Sequence, residues 1–145
     1  MDQITISLKA FFEETAVAFT EGRFEKAAKS WTFPNTIHAG DHKLFLPSYN
    51  VMETIMATYQ RNLSVEDYAK TTVEVLQCIP ASSSVVQALV QWVNLNSRGA
   101  IISKLDASYF CKQSDDFTWT IETIEFVAHP NARLADGIPF HRVRK

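Results

Sequence analysis

Between Ser84 and Val127 the chain carries three long runs of strand-forming residues in succession: Val85–Asn96, Ile101–Lys112 and Phe117–Val127. Val, Ile, Phe, Tyr, Trp and Thr dominate each run. The breaks at Ser97-Arg98-Gly99 and Gln113-Ser114-Asp115-Asp116 supply the residue types a chain reversal needs. This pattern predicts an antiparallel meander. A sheet of that size cannot leave both faces in water, so the helical first half of the chain is expected to cover one of them.

That first half has the required periodicity. Along Gln3–Glu21, the residues Ile4, Leu8, Phe11, Phe12, Ala16 and Phe19 recur at steps of three and four, which places them on one side of a helix. Gly22 ends it, because glycine enters the left-handed conformation without a Cβ clash. A short helix over Arg23–Ser30 then turns Phe24, Ala27 and Ala28 inward, and Trp31-Thr32-Phe33-Pro34 stops it. Asn35–Ala39 and His42–Leu46 read as two short strands around a tight turn at Gly40-Asp41. Ser48 is the expected N-cap of a third helix, Tyr49–Leu63, with Met52, Ile55, Met56, Tyr59 and Leu63 on one side. In a further strand, Tyr68–Ile79, strict alternation puts Ala69, Thr71, Val73, Val75 and Gln77 on one face. Lys70, Thr72, Glu74, Leu76 and Cys78 take the other.

The 145 residues suit a single domain over 1–145, with a core at about 3–127 and a C-terminal tail, 128–145, whose basic end His141-Arg142-Val143-Arg144-Lys145 reads as a solvated terminus. A formal charge of −2 gives no electrostatic reason to expect nucleic acid as a partner. No stretch reaches the about 18 consecutive apolar residues of a membrane span, and no export signal opens the chain, so a cytoplasmic location without membrane contact is expected. Cys78 and Cys111 fall inside strands without metal-ligand spacing and read as reduced core thiols.

Helix, helix, short strand pair, helix and four long strands is an α+β order, with three N-terminal helices packed on one face of a strongly curved, mainly antiparallel sheet. Gly22-Arg23-Phe24-Glu25 leads through Trp31 to Phe33-Pro34, and Tyr109-Phe110-Cys111 precedes Asp115-Asp116 and Trp119-Thr120-Ile121. With these words in that order, the chain resembles the nuclear transport factor 2-like superfamily, the cystatin-like fold of ketosteroid isomerase, scytalone dehydratase and the small polyketide cyclases. The resemblance implies a cone with an internal pocket between the helices and the concave sheet face. It also implies a homodimer formed through the convex faces. Within Val85–Asn96, Val86, Ala88, Val90 and Trp92 alternate with Gln87, Leu89, Gln91, Val93 and Leu95, so both faces carry large apolar residues and the second suits another copy of the chain.

The resemblance does not extend to a catalytic set. Where the isomerase places an oxyanion Tyr on its first helix, this chain has Phe11 and Phe12; near the position of its Asp base stand Asn35 and His38. His38 is the candidate general base, since imidazole titrates nearest to neutral pH. Period-two reasoning assigns Asp106 to the watery face with Lys104, Ser108 and Lys112, and leaves one of Glu122 and Glu125 as a pocket acid, Glu125 being the one carried forward. Trp31, Tyr49, Tyr59, Trp92 and Tyr109 are the candidate lining of a cavity for a flat apolar molecule, their phenols bonding its edge. His38 and Asp41-His42 lack the spacing of a metal site, and no phosphate loop or nucleophile motif is present, so no metal and no cofactor are expected. The expected function is binding of a small apolar molecule by a homodimer. The alternative is a lyase, isomerase or cyclase acting on an apolar carbonyl compound, with His38 as base and Tyr49 or Tyr59 as hydrogen-bond donor.

Overall fold

A computed structural model describes residues 2–39, 42–126 and 141–142. Its helices are α1 (Gln3–Thr20), α2 (Phe24–Ala28) and α3 (Tyr49–Ser64), with β1 (Asn35–Ala39) and β2 (His42–Leu46) between the last two. Four long strands follow, β3 (Tyr68–Pro80), β4 (Val85–Asn96), β5 (Ile101–Gln113) and β6 (Trp119–Phe126), then the two-residue β7 (His141–Arg142). They form one sheet in the order β3-β4-β5-β6-β1-β2-β7, antiparallel throughout except where β1 meets β6. The architecture is the expected α+β one, with the helices gathered on the inner face of a mainly antiparallel sheet.

Local chemistry sets the element ends. Asp2 caps α1 by accepting the Thr5 N–H at 2.7 Å. At the other end Gly22 has φ +75°, and two reverse bonds, Arg23 N to Ala18 O at 2.8 Å and Gly22 N to Phe19 O at 3.1 Å, close a Schellman motif. Ser48 caps α3 as expected. β6 starts two residues later than the sequence suggested. Phe117 has φ 64° and donates its N–H to Ser114 O at 2.9 Å, so it closes the turn instead of opening the strand. The expected turn at Gly40-Asp41 lies outside the described residues, although Ala39 and His42 are register partners. The basic end is not wholly a free terminus: His141 and Arg142 pair with Lys43 and His42 of β2, while the rest of 127–140 and 143–145 lies outside the described residues.

One apolar core fills the space between helices and sheet. Leu8, Phe12, Ala18 and Phe19 of α1 and Met52 and Met56 of α3 pack over Val86, Ala88, Val90, Leu105, Ala107, Tyr109 and Cys111 of the central strands. Ile4 does not join them and stays exposed.

Register slips between strands decide which residues the sheet presents inward. In β3 the register with β4 slips between Val75 and Gln77, so Leu76 is the extra residue. Thr71, Val73 and Val75 face inward as alternation requires, but beyond the slip the phase reverses: Cys78, opposite the fully buried Ala88, turns toward the core and Gln77 toward water. In β6 the register with β5 slips between the Phe110–Thr123 and Cys111–Ile121 pairs. Ile121 and Ile124, three apart, are therefore both buried.

Candidate functional site

A cavity of about 120 Å³ lies between the helices and the inner sheet face. α1 contributes Phe12, Thr15 and Phe19, spaced so that one side of the helix presents all three. α3 contributes Met52, Ile55, Met56 and Tyr59 on the same principle. The floor is sheet: Trp92 and Asn94 from β4, Leu105 and Tyr109 from β5, Ile121 and Ile124 from β6. Trp31, bridged to Ile121, also lines the cavity.

The polar atoms around this apolar space fall into two groups. In the first, Asn94 is buried and its amide is fully used: Nδ2 donates to Tyr59 Oη and to Ser103 Oγ, both at 3.0 Å, while Oδ1 accepts from Thr71 Oγ1 at 2.7 Å. Thr71 Oγ1 also meets Tyr68 Oη at 2.6 Å, and the Thr71 N–H donates to Thr20 Oγ1 at 3.0 Å, which ties the network to the end of α1. In the second group, Trp92 Nε1 donates to Tyr109 Oη at 2.7 Å. Tyr109 packs tilted against Phe12, ring centroids 5.0 Å apart, and burial pushes its hydroxyl pKa well above the ordinary value, so the phenol stays protonated.

Of the residues singled out from sequence, Trp31, Tyr59, Trp92 and Tyr109 meet around the cavity and the other three do not. His38 is exposed because Asn35, Ile37 and Ala39 take the inward positions of β1, which leaves Thr36 and His38 outward. Glu125 is also exposed; the bulge that turns Ile121 and Ile124 inward puts it on the outer face, as the register partner of His38. Tyr49 is 46% exposed, donates its hydroxyl to Lys29 O at 3.2 Å and faces a surface groove between α2 and α3. Asn35, near the position of the isomerase base, is held by backbone: Nδ2 donates to Ile121 O at 3.3 Å and Oδ1 accepts the Thr36 N–H at 2.7 Å. Asp106 lies on the outer face as expected, accepting from Gln91 Nε2 at 2.9 Å. Sequence reasoning missed Asn94 and Thr71, although both fall in phase with inward residues of their strands.

Among the described residues lining the cavity there is no carboxylate, imidazole, amine, guanidinium or thiol. No helix among the described residues is long and apolar enough to cross a membrane.

The same architecture recurs in solved structures. A protein of unknown function from Mycobacterium tuberculosis superposes with a TM-score of 0.70 at 8% identity, covering 97% of this chain and 93% of that one. A domain of unknown function with a cystatin-like fold from Nostoc punctiforme gives 0.67 at 13% identity, with 94% and 84% covered. A ketosteroid isomerase-like protein from Erwinia carotovora atroseptica gives 0.54 at 10% identity, with 88% and 99% covered. At such identities the likeness is one of fold. No curated protein matches the chain. The sequence itself carries the family signature: the model for "NTF2-like protein (DUF6841)" matches residues 5–130, which run from the first turn of α1 past the end of β6 and so include every strand and helix that walls the cavity. With fold and sequence in agreement, the chain belongs to the NTF2-like DUF6841 family.

Proposed function

We propose that the protein is a homodimeric binding protein, built as one domain, whose cavity takes a small, uncharged, apolar molecule. The observation that carries this reading is the chemistry of the wall. Proton transfer needs a base within hydrogen-bond reach of the reacting atom, and the described wall offers none. An ionised ligand would enter without a countercharge, which is costly in an apolar space. A neutral apolar molecule meets neither obstacle: a dry cavity of about 150 Å³ lined by aliphatic and aromatic side chains takes up benzene. The isomerase, lyase or cyclase alternative loses support from geometry, since His38 and Glu125 lie on the opposite face of the sheet from the cavity. The two thiols, Cys78 and Cys111, are unpaired, which suits the reducing interior of a cell and supports a cytoplasmic location.

Titration with α-methylstyrene, followed by NMR, tests the binding reading. Saturable binding at one site per chain is expected, and Ala27→Phe, which puts a ring where Ala27 now lines the cavity, removes it. Lack of saturation, or binding indifferent to Ala27→Phe in a folded variant, overturns the proposal.

A further inference from the structure

The two polar groups around the cavity differ in what they have left to give. Around Asn94, both amide hydrogens and the amide oxygen are engaged with Tyr59, Ser103 and Thr71. Tyr109 is in another position. Its oxygen accepts the indole N–H of Trp92, but among the described residues no acceptor receives the phenol proton. The hydroxyl is nevertheless sequestered, since Tyr109 is only 5% exposed. A buried donor without an acceptor is rare in a native fold and calls for a partner that the protein itself does not supply. Because the Trp92 N–H occupies one side of the phenol oxygen, that oxygen is disposed to act toward anything else as a donor.

Resting on the binding reading above, we infer that Tyr109 is the polar anchor of the cavity, donating its hydroxyl proton to the carbonyl oxygen of an otherwise apolar, uncharged ligand. Trp92 is a positioning residue: it holds the phenol oxygen and directs the proton away from itself. Phe12, stacked at a tilt on Tyr109 and edge-on to Trp92 at 6.1 Å between centroids, fixes the ring from the helix side. The inference selects Tyr109 over Tyr59 and Tyr49, the phenols that sequence reasoning favoured as donors. It also assigns the ligand a polarity, its acceptor at the β4–β5 floor and its hydrocarbon part under α3.

Acetophenone and α-methylstyrene test this directly, being nearly the same shape with C=O in one and C=CH2 in the other. Tyr109→Phe is expected to weaken acetophenone about tenfold, the value of one buried hydrogen bond, while α-methylstyrene changes by less than about twofold. Trp92→Phe is expected to keep the dependence of acetophenone on the Tyr109 hydroxyl, read by adding Tyr109→Phe to it. In the unaltered protein, the carbonyl stretch of bound acetophenone is expected at lower frequency than in a hydrocarbon solvent. Equal losses for both probes, or a carbonyl stretch unchanged from hydrocarbon, overturn the anchor and leave the binding reading standing. Failure of both probes to bind overturns both.

Discussion

Asn94 and His38 show opposite sides of what single residues disclose. His38 drew attention by chemistry, yet its neighbours Ile37 and Ala39 already fix its direction: in a five-residue strand whose apolar positions face the core, the imidazole between them faces water. Asn94 drew none, yet it follows Val90 and Trp92 at intervals of two and is buried with every amide group bonded. Direction was legible from alternation; hydrogen-bond partners, which come from strands and helices far away in the chain, were not. Cys111 supports a prediction at this scale. Burial is the main cause that pushes its thiol up to about 12 from an ordinary value near 9, with the Cys78 and Glu122 charges adding to it. In the unfolded chain the thiol ionises near pH 9, so between about pH 9 and about pH 12 the unfolded state binds fewer protons than the folded one, and stability falls as pH rises. The contribution is complete below about pH 9, and the slope reaches at most about 1.4 kcal/mol per pH unit. Urea unfolding of the protein and of Cys111→Ala at several alkaline pH values checks this. The variant is expected to lose stability less steeply, and parallel curves would acquit the thiol.

The elements themselves were the most legible part. Strand and helix periods, the glycine stop at Gly22 and the serine cap at Ser48 all act over a few residues, and so they are visible in a few residues. Bulges are not, because the slip exists only relative to a partner strand. Leu76 is the case in point: with it counted as an ordinary strand residue, Cys78 falls on the wrong face. The bulge also makes a prediction about deletion. Removing Leu76 leaves Val75, Gln77 and Cys78 in alternating order opposite Val90, Leu89 and Ala88, so every side chain keeps its side of the sheet. Deleting Val90, which faces the slip from β4 and is not itself an extra residue, shifts all that follows in β4 by one and exchanges its faces. The Leu76 deletion is expected to give a dispersed amide NMR spectrum and cooperative unfolding, and the Val90 deletion neither. Two well-folded proteins would contradict this account of the strand.

For the molecule as a whole, the outer face of the sheet bears on the dimer. Leu89, Val93, Leu95 and Phe110 are only partly covered within one chain, and the polar row of Glu125, His38 and Lys43 lies to the side, across β6, β1 and β2. If copies join through this face, β4 and β5 form the centre of contact. Sedimentation is then expected to report twice the 16.4 kDa chain mass, and Leu89→Lys with Phe110→Lys to return it to the single value without loss of helix signal. A monomer from the outset, or a dimer indifferent to both lysines, counts against that face. Ile121 carries another whole-molecule consequence. Its carbonyl accepts from Thr32 N at 3.0 Å, from Thr32 Oγ1 at 3.0 Å and from Asn35 Nδ2 at 3.3 Å, and its N–H reaches Ser30 O at 2.8 Å. Residues 30–35 are thus clasped by β6, a strand that leaves the ribosome long after them. Until residue 121 emerges, the nascent chain holds its first hairpin without a neighbour, and the apolar hollow has no wall on that side.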